Sequence, residues 1–310
     1  MDINIIRARL EPDWNKVSDS IRSVLGSDIE LLNTTNMSIL SHSGKQMRPM
    51  LALLIARACS GGMVTEASIR YAASSELLHN ATLLHDDVAD ESEQRRGVPT
   101  IMSLMGPAVS VLVGDYWLVK AMELILGDAD SDTRVIKIFS KTLSDLAEGE
   151  MLQLQKAQKG DTDQEDYLRI IYNKTASLFE AACVSAAVSV GAPEQYEKAA
   201  KDYAVALGLA LQIKDDILEQ KITMPLLGAM KNASESEEGR VRGLVSDIVS
   251  HPEYRDEIVE FVKSNGGLEY AVRELERYVE YAVKALEVLP DSYEKECLVA
   301  LAHFTGKRNK

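Results

Sequence analysis

The sequence predicts an all-α protein, on three observations. Apolar residues recur every three or four positions through almost the whole chain. Alternating strand patterns flanked by Asn-Gly or Asp-Gly turns are absent, and short breaks rich in glycine or proline separate long periodic runs. Short turns between long helices imply antiparallel neighbours in a bundle. No linker is long enough or rich enough in proline and serine to split the chain, so residues 1–310 are expected to form a single domain of about a dozen mostly antiparallel helices.

Taken in order, the first clear run is 50–58, where Met50, Leu51, Leu54, Ile55 and Ala58 fall on one helical face. Residues 64–90, 108–126, 133–158, 164–190 and 194–219 follow the same period. The breaks lie at Ser60-Gly61-Gly62, Gly97-Val98-Pro99, Gly127-Asp128, Gly191-Ala192-Pro193 and Asn265-Gly266-Gly267. Thr162 followed by Glu165 has the spacing of a capping box and predicts a helix opening at about 164. Residues 176–190 are apolar on nearly every face, which predicts a helix buried inside the bundle. Its small residues allow close helix approach or leave room for a hydrophobic ligand. The polar stretch Ala233–Arg240 is expected to be a solvated turn.

Composition excludes several classes of function. The chain carries 48 acidic against 34 basic side chains, a net charge of −14. That balance argues against nucleic acid as a partner, because phosphate backbones are bound through a surplus of Lys and Arg. It equally disfavours adsorption to anionic membranes. The opening residues lack the apolar stretch of a signal peptide, and the longest nearly uncharged run, 181–192, is too short for a membrane span, so no stable membrane insertion is expected. Cys59, Cys183 and Cys297 are far apart and sit among apolar residues, as buried free thiols do in a reducing cytoplasm.

The chemistry concentrates in two acidic clusters. Leu84-His85-Asp86-Asp87-Val88-Ala89-Asp90 ends a long apolar helix, and Asp86 and Asp90, four apart, share a face. Carboxylates at a helix C-terminus are disfavoured by the macrodipole and by one another, and a cation relieves both costs. Mg²⁺ fits, since it takes oxygen ligands and is commonly shared between one or two carboxylates and a substrate's phosphates. The bland alternative is a solvated helix end. A second cluster, Gln212-Ile213-Lys214-Asp215-Asp216-Ile217-Leu218-Glu219, repeats the pattern after another apolar helix. Two such clusters favour paired metal sites that neutralise a diphosphate. Basic residues gather near them in sequence: Lys45 and Arg48, Arg95 and Arg96, Lys174 beside Thr175, and Lys221. Arginine suits bidentate phosphate contacts and lysine supplies a point charge. His79 lies two helical turns before Asp86 on nearly the same face, where contact with substrate competes with a packed core histidine.

These motifs stand together in GKQMRP (44–49), ELLHNATLLHDDVADESEQRRG (76–97), VGDYWL (113–118), EGEMLQLQ (148–155), NKTASLFEAAC (173–183), LQIKDDILE (211–219) and KITMPLL (221–227). In their order and content they resemble the trans-isoprenyl diphosphate synthases, and most closely the medium- and long-chain polyprenyl diphosphate synthases. The resemblance implies the isoprenoid-synthase fold, a helical bundle around a deep apolar cavity, working as a cytoplasmic homodimer. It implies condensation of isopentenyl diphosphate with an allylic diphosphate to give a polyprenyl diphosphate of the kind used for quinone side chains. It implies Mg²⁺, three ions per site, held by Asp86, Asp87, Asp90, Asp215, Asp216 and Glu219. Arg95, Lys174, Thr175 and Gln212 would hold the allylic diphosphate, with Lys221 nearby. Lys45, Arg48, His79 and Arg96 would hold isopentenyl diphosphate, and Arg308 would help close the site.

Product length follows from what lies beneath Asp86. Thr82 and Ala81 are four and five residues earlier, about 6–7.5 Å down the helix. In the family, bulky aromatic residues there stop growth early. Both are small here, so a longer product is expected, with Trp117 a candidate floor and Ala81→Phe a shortening change. One departure stands out. Gln220 alone separates Glu219 from Lys221, where the family has a loop of a dozen or more residues. It raises a second reading, a non-catalytic subunit partnering an active synthase. A third, a class I terpene cyclase, has no need of Lys45, Arg48 and His79. A short-chain farnesyl or geranylgeranyl diphosphate synthase is the remaining alternative.

Overall fold

A computed structural model of the chain describes residues 3–42, 44–95, 97–127, 132–218, 223–248 and 250–306. The helices are α1 (Ile3–Leu10), α2 (Asp13–Val24), α3 (Glu30–Ser41), α4 (Met47–Ser60), α5 (Glu66–Ala89), α6 (Ile101–Met105), α7 (Pro107–Leu126) and α8 (Thr133–Lys159). They continue with α9 (Gln164–Ile171), a π-helical turn (Tyr172–Ala176), α10 (Ser177–Ser189), α11 (Glu194–Leu218) and α12 (Met224–Asn232). The last are α13 (Glu235–Asp247), α14 (Tyr254–Ser264), α15 (Gly267–Ala285) and α16 (Tyr293–Gly306). The all-α class expected from periodicity holds. Strand structure is confined, among the described residues, to a two-residue hairpin of β1 (Gln94–Arg95) and β2 (Val98–Pro99), with Arg95 opposite Val98. No helix of the described residues is long and apolar enough to cross a membrane.

The chain groups into two compact units. One comprises Met1–Phe139, Ala181–Lys198 and Leu289–Cys297; the other comprises Ser140–Glu180, Ala199–Val288 and Leu298–Lys310. In the first, α4 buries an unbroken run from Arg48 to Ala56, and α5 buries Tyr71 to Leu78. Trp117 of α7 is enclosed among them, and its indole N–H donates to Asn36 Oδ1 at 2.7 Å. The Asn36 amide in turn donates to the Leu25 carbonyl at 3.0 Å, so this buried polar pair is satisfied. In the second unit, Tyr203, Leu207, Ala210 and Ile213 of α11 are buried. Leu226, Ala229 and Met230 of α12 join Val241, Ile258 and Phe261 in a separate apolar cluster.

Helix starts follow local chemistry, with two departures from expectation. The cap before α9 is Asp163, one residue past Thr162: its carboxylate accepts the Asp166 N–H at 2.8 Å, and Asp166 reaches back to the Asp163 N–H. Aspartate is a better N-cap than threonine, so the register shifts to it. The polar stretch at 233–240 is the start of α13. Ser234 and Glu237 form a capping box, and Glu235, Glu237 and Glu238 lie where the helix dipole favours anions. Val241, fully buried, anchors that helix to its apolar cluster.

Gly208 of α11 lies against the π-helical turn. A methyl group there would be 2.6 Å from Ala176 Cα and 2.8 Å from its Cβ. Gly208→Ala is therefore expected to destabilise the protein by about 1–3 kcal/mol. Gly239→Ala, where nothing lies within 4 Å, is expected to be neutral or stabilising. Thermal midpoints of the two variants by circular dichroism check the contrast.

Candidate active site

In the first unit the acidic cluster ends α5. The Asp90 N–H donates to the Asp86 carbonyl at 2.8 Å, so helical geometry continues past Ala89 and Asp86 and Asp90 share a face. Asp86 is half-buried and Asp90 exposed, but Asp87 is only 5% exposed. Both Nε and Nη2 of Arg95 reach Asp87 Oδ1 at 2.9 Å. The hairpin turns Arg95 back onto α5, with Gly97 at φ +78 supplying the left-handed corner. Arg95 thus meets the cluster through an internal ion pair. Asp86 and Asp90 are the more open carboxylates.

Helix α7 fixes the end of α5 at three levels. Ser110 Oγ donates to the Leu84 carbonyl at 2.8 Å. Gly114 lies under the His85 ring, where a Cβ would be 2.5 Å from Nε2 and 3.3 Å from the Ala81 carbonyl. Asp115 Oδ1 is 3.1 Å from His85 Nε2. The VGDYWL segment therefore has a physical reason for three of its residues: close approach at Gly114, a carboxylate beside the His85 ring at Asp115 and core at Trp117. Trp117 is enclosed and bonded to Asn36, as a structural residue is. Of the two residues expected beneath Asp86, Ala81 is 0% exposed and Thr82 is half-buried, its hydroxyl donating to the His79 carbonyl.

His79 is half-buried on α5. Lys45 is exposed, and Arg48, in the first turn of α4, is buried. Gln46 between them adopts φ +50, a left-handed turn into α4. Arg96, Glu219, Lys221 and Arg308 lie outside the described residues.

In the second unit Lys174 and Thr175 sit in the π-helical turn, a distortion that frequently marks functional positions. The Lys174 amine is 2.5 Å from Glu150 Oε1 and donates to Gln153 Oε1 at 2.9 Å. Gly149, one residue before Glu150, lets α8 approach: a Cβ there would lie 2.8 Å from Asn173 Cβ and 3.2 Å from the Lys174 nitrogen. Thr175 Oγ1 donates to Gln212 Oε1 at 2.8 Å, and Gln212 Nε2 donates to Asp216 Oδ1 at 3.0 Å. Asp216 is 3% exposed. Its other oxygen accepts from the Tyr167 hydroxyl at 2.7 Å and the Thr223 hydroxyl at 2.8 Å. Burial, with the Asp216 carboxylate next, holds the Tyr167 phenol far above its ordinary pKa. Asp215 is exposed on α11.

Both acidic clusters thus have one inward aspartate with internal donors and a neighbour at greater exposure. The structure gathers Thr175, Gln212 and Asp216, and separately Asp87 with Arg95. Among the described residues, no three His, Cys, Asp or Glu side chains already enclose a metal-sized point. The donor chemistry still suits Mg²⁺, which needs only one or two carboxylates when phosphates and water supply the rest. Sequence reasoning passed over Glu150, Gln153, Tyr167, Thr223 and Asp115. Glu150 and Gln153 lay inside a noted motif, three apart on one helix face. Tyr167 left no such signal, because a tyrosine at an apolar helix position reads as core.

Residues 29–223 match the family model described as polyprenyl synthetase. The chain is 36% identical to the octaprenyl diphosphate synthase of Haemophilus influenzae, over 327 aligned positions that span 100% of this chain and 98% of that one. It is similar to the crystal structure of a decaprenyl diphosphate synthase from Rhodobacter capsulatus, with 34% identity, 98% of each chain covered and a TM-score of 0.88. It is also similar to a polyprenyl synthase from Caulobacter crescentus complexed with calcium and isoprenyl diphosphate, at 30% identity, 99% and 98% coverage and a TM-score of 0.87.

Gly114→Ala is expected to push the His85 ring off Asp115 and to disturb the Asp86 turn without unfolding α5. Circular dichroism should keep its helical signal, the His85 imidazole resonances should move, and turnover should fall about tenfold or more.

Proposed function

The chain belongs to the polyprenyl synthetase family, and on that basis we propose that it condenses isopentenyl diphosphate with an allylic diphosphate to make a medium- or long-chain polyprenyl diphosphate. The observation that carries this reading is the match to an octaprenyl diphosphate synthase over the full chain, with both acidic clusters intact. Residues 1–310 are taken as a single synthase domain, as the family match over residues 29–223 supports. The protein is taken as a cytoplasmic homodimer. Its free cysteines agree with the first, and the apolar stripe of Leu112, Val119 and Leu126 exposed along α7 with the second.

Asp86, Asp90 and Asp215 are the carboxylates that would hold Mg²⁺, with Asp87, Asp216 and Glu219 in the same acidic runs. Mg²⁺, three ions per site, supplies neutralisation of the leaving diphosphate when bound. Lys174, Arg95 and Gln212 bind and orient the allylic diphosphate, with Thr175 and Lys221 beside them. Lys45, Arg48, His79 and Arg96 bind isopentenyl diphosphate. The bond from the allylic carbon to its diphosphate oxygen breaks, and the isopentenyl double bond attacks that carbon. A proton then leaves the new chain, and the released diphosphate accepts it. The residues need no covalent step; positioning and fixed charge perform the work. Ala81 and Thr82, the small residues beneath Asp86, are the length-setting positions in this reading.

The second reading, a non-catalytic subunit of a heteromeric synthase, is favoured by the short Glu219–Lys221 connection. Incubation with labelled isopentenyl diphosphate, farnesyl diphosphate and Mg²⁺ decides between them. Long linear diphosphates are expected, with turnover lost in EDTA and restored by Mg²⁺. Absence of turnover from the protein alone would favour the subunit, and cyclic hydrocarbons a cyclase. Thr82→Phe is expected to shorten the products. Ala81→Phe is expected to shorten them as well and, at a buried position, to destabilise the protein by about 1–3 kcal/mol of overpacking. Chromatographic sizing of products and thermal melts check both.

A further inference from the structure

We propose that Tyr167 is a positioning residue for diphosphate binding, acting through Asp216 and Gln212 on the hydroxyl of Thr175. The proposal rests on the prenyl-transfer reading above, and it concerns a residue outside every motif so far assigned a role.

The hydrogen-bond network has one allowed direction. Gln212 presents its Nε2 to Asp216 and donates to Oδ1 at 3.0 Å. The opposite end of that amide is then Oε1, which only accepts, so the Thr175 hydroxyl 2.8 Å away must donate to it. Asp216 therefore sets which way Gln212 and Thr175 point. What remains for a ligand is the second N–H of Gln212 and the lone pairs of Thr175. Asp216 can hold this role only while it stays still inside the fold. At 3% exposure it depends on its donors, and two of the three, Tyr167 at 2.7 Å and Thr223 at 2.8 Å, converge on Oδ2. Tyr167 is itself buried on α9, with its hydroxyl committed to this contact. Removing that hydroxyl leaves Oδ2 with one donor, loosens the carboxylate and frees Gln212 to rotate.

The test is Tyr167→Phe, which keeps the ring. The KM for the allylic diphosphate is expected to rise about tenfold, the worth of one hydrogen bond to a charged group, while the KM for isopentenyl diphosphate stays within twofold. Calorimetric binding of inorganic diphosphate in Mg²⁺ should weaken by a similar factor, a readout that does not need turnover. In a Gln212→Ala background Tyr167→Phe should add less than twofold, because the path it acts through is already gone. An unchanged allylic KM, or a full tenfold addition in the double variant, overturns the proposal. If Tyr167→Phe fails to fold, Thr223→Val removes the neighbouring donor to the same oxygen and is read the same way. Absence of turnover in the parent protein would count against the prenyl-transfer reading, whereas an active parent indifferent to Tyr167→Phe would count against this one alone.

Discussion

A carboxylate buried at the end of an apolar helix dictates what surrounds it. Left without donors, a buried charge costs several kcal/mol even after the protein relaxes around it. Asp87 and Asp216 are both in that position, and each has drawn remote chain segments to itself. Asp87 takes the Arg95 guanidinium, which requires the hairpin at 94–99 to fold back over the end of α5. Asp216 takes hydroxyls from α9 and from the residue that opens α12, plus an amide from its own helix. The placement of both acidic clusters is thus settled by their inward members, which frees the neighbouring aspartates to face outward.

Glycine supplies the complementary constraint, because polar side chains can be held this closely only where helix backbones nearly touch. Gly114 brings α7 against the His85 ring, Gly149 brings α8 against the Lys174 backbone, and Gly208 brings α11 against Ala176. At each, a Cβ would fall under 3 Å from a heavy atom of the facing element. The latter two press on the same π-helical turn, which turns Lys174 toward Glu150 and Thr175 toward Gln212. An extra residue in a helical turn is a local cost. The paired close contacts on either side show why this one persists: straightening the turn would move both faces at once.

The helical class and both acidic clusters were legible in the sequence, because periodicity and charge spacing act locally. The register of the α9 cap was misplaced by one residue, since Thr162 and Asp163 both have the chemistry and only the stronger acceptor wins. The stretch at 233–240 was misread because a helix start rich in glutamate looks polar all round, and only the burial of Val241 distinguishes it from a turn. The division between inward and outward aspartates could not be read at all. Adjacent residues on a helix differ by 100° in direction, and nothing in D-D-x-x-D says which direction meets donors. Tyr167 was invisible for the same reason, because its role exists only once α9 meets α11.

The two inward aspartates are stabilised differently, and the difference bears on the chain's acidity. Arg95 cancels the charge of Asp87 with a full positive charge. The donors to Asp216 are neutral hydroxyls and an amide, which stabilise an anion without cancelling it. Its field therefore persists beside the exposed Asp215, in surroundings less screened than bulk water. Lys214, on the same helix, reaches the Phe304 carbonyl, and Lys174 lies beside Glu150. Part of the chain's excess of 48 acidic over 34 basic groups thus gathers at the second cluster. Clustered carboxylates of this kind attract divalent cations and repel a bare diphosphate, which is the physical reason that a metal-bound diphosphate suits an acidic site better than the anion alone.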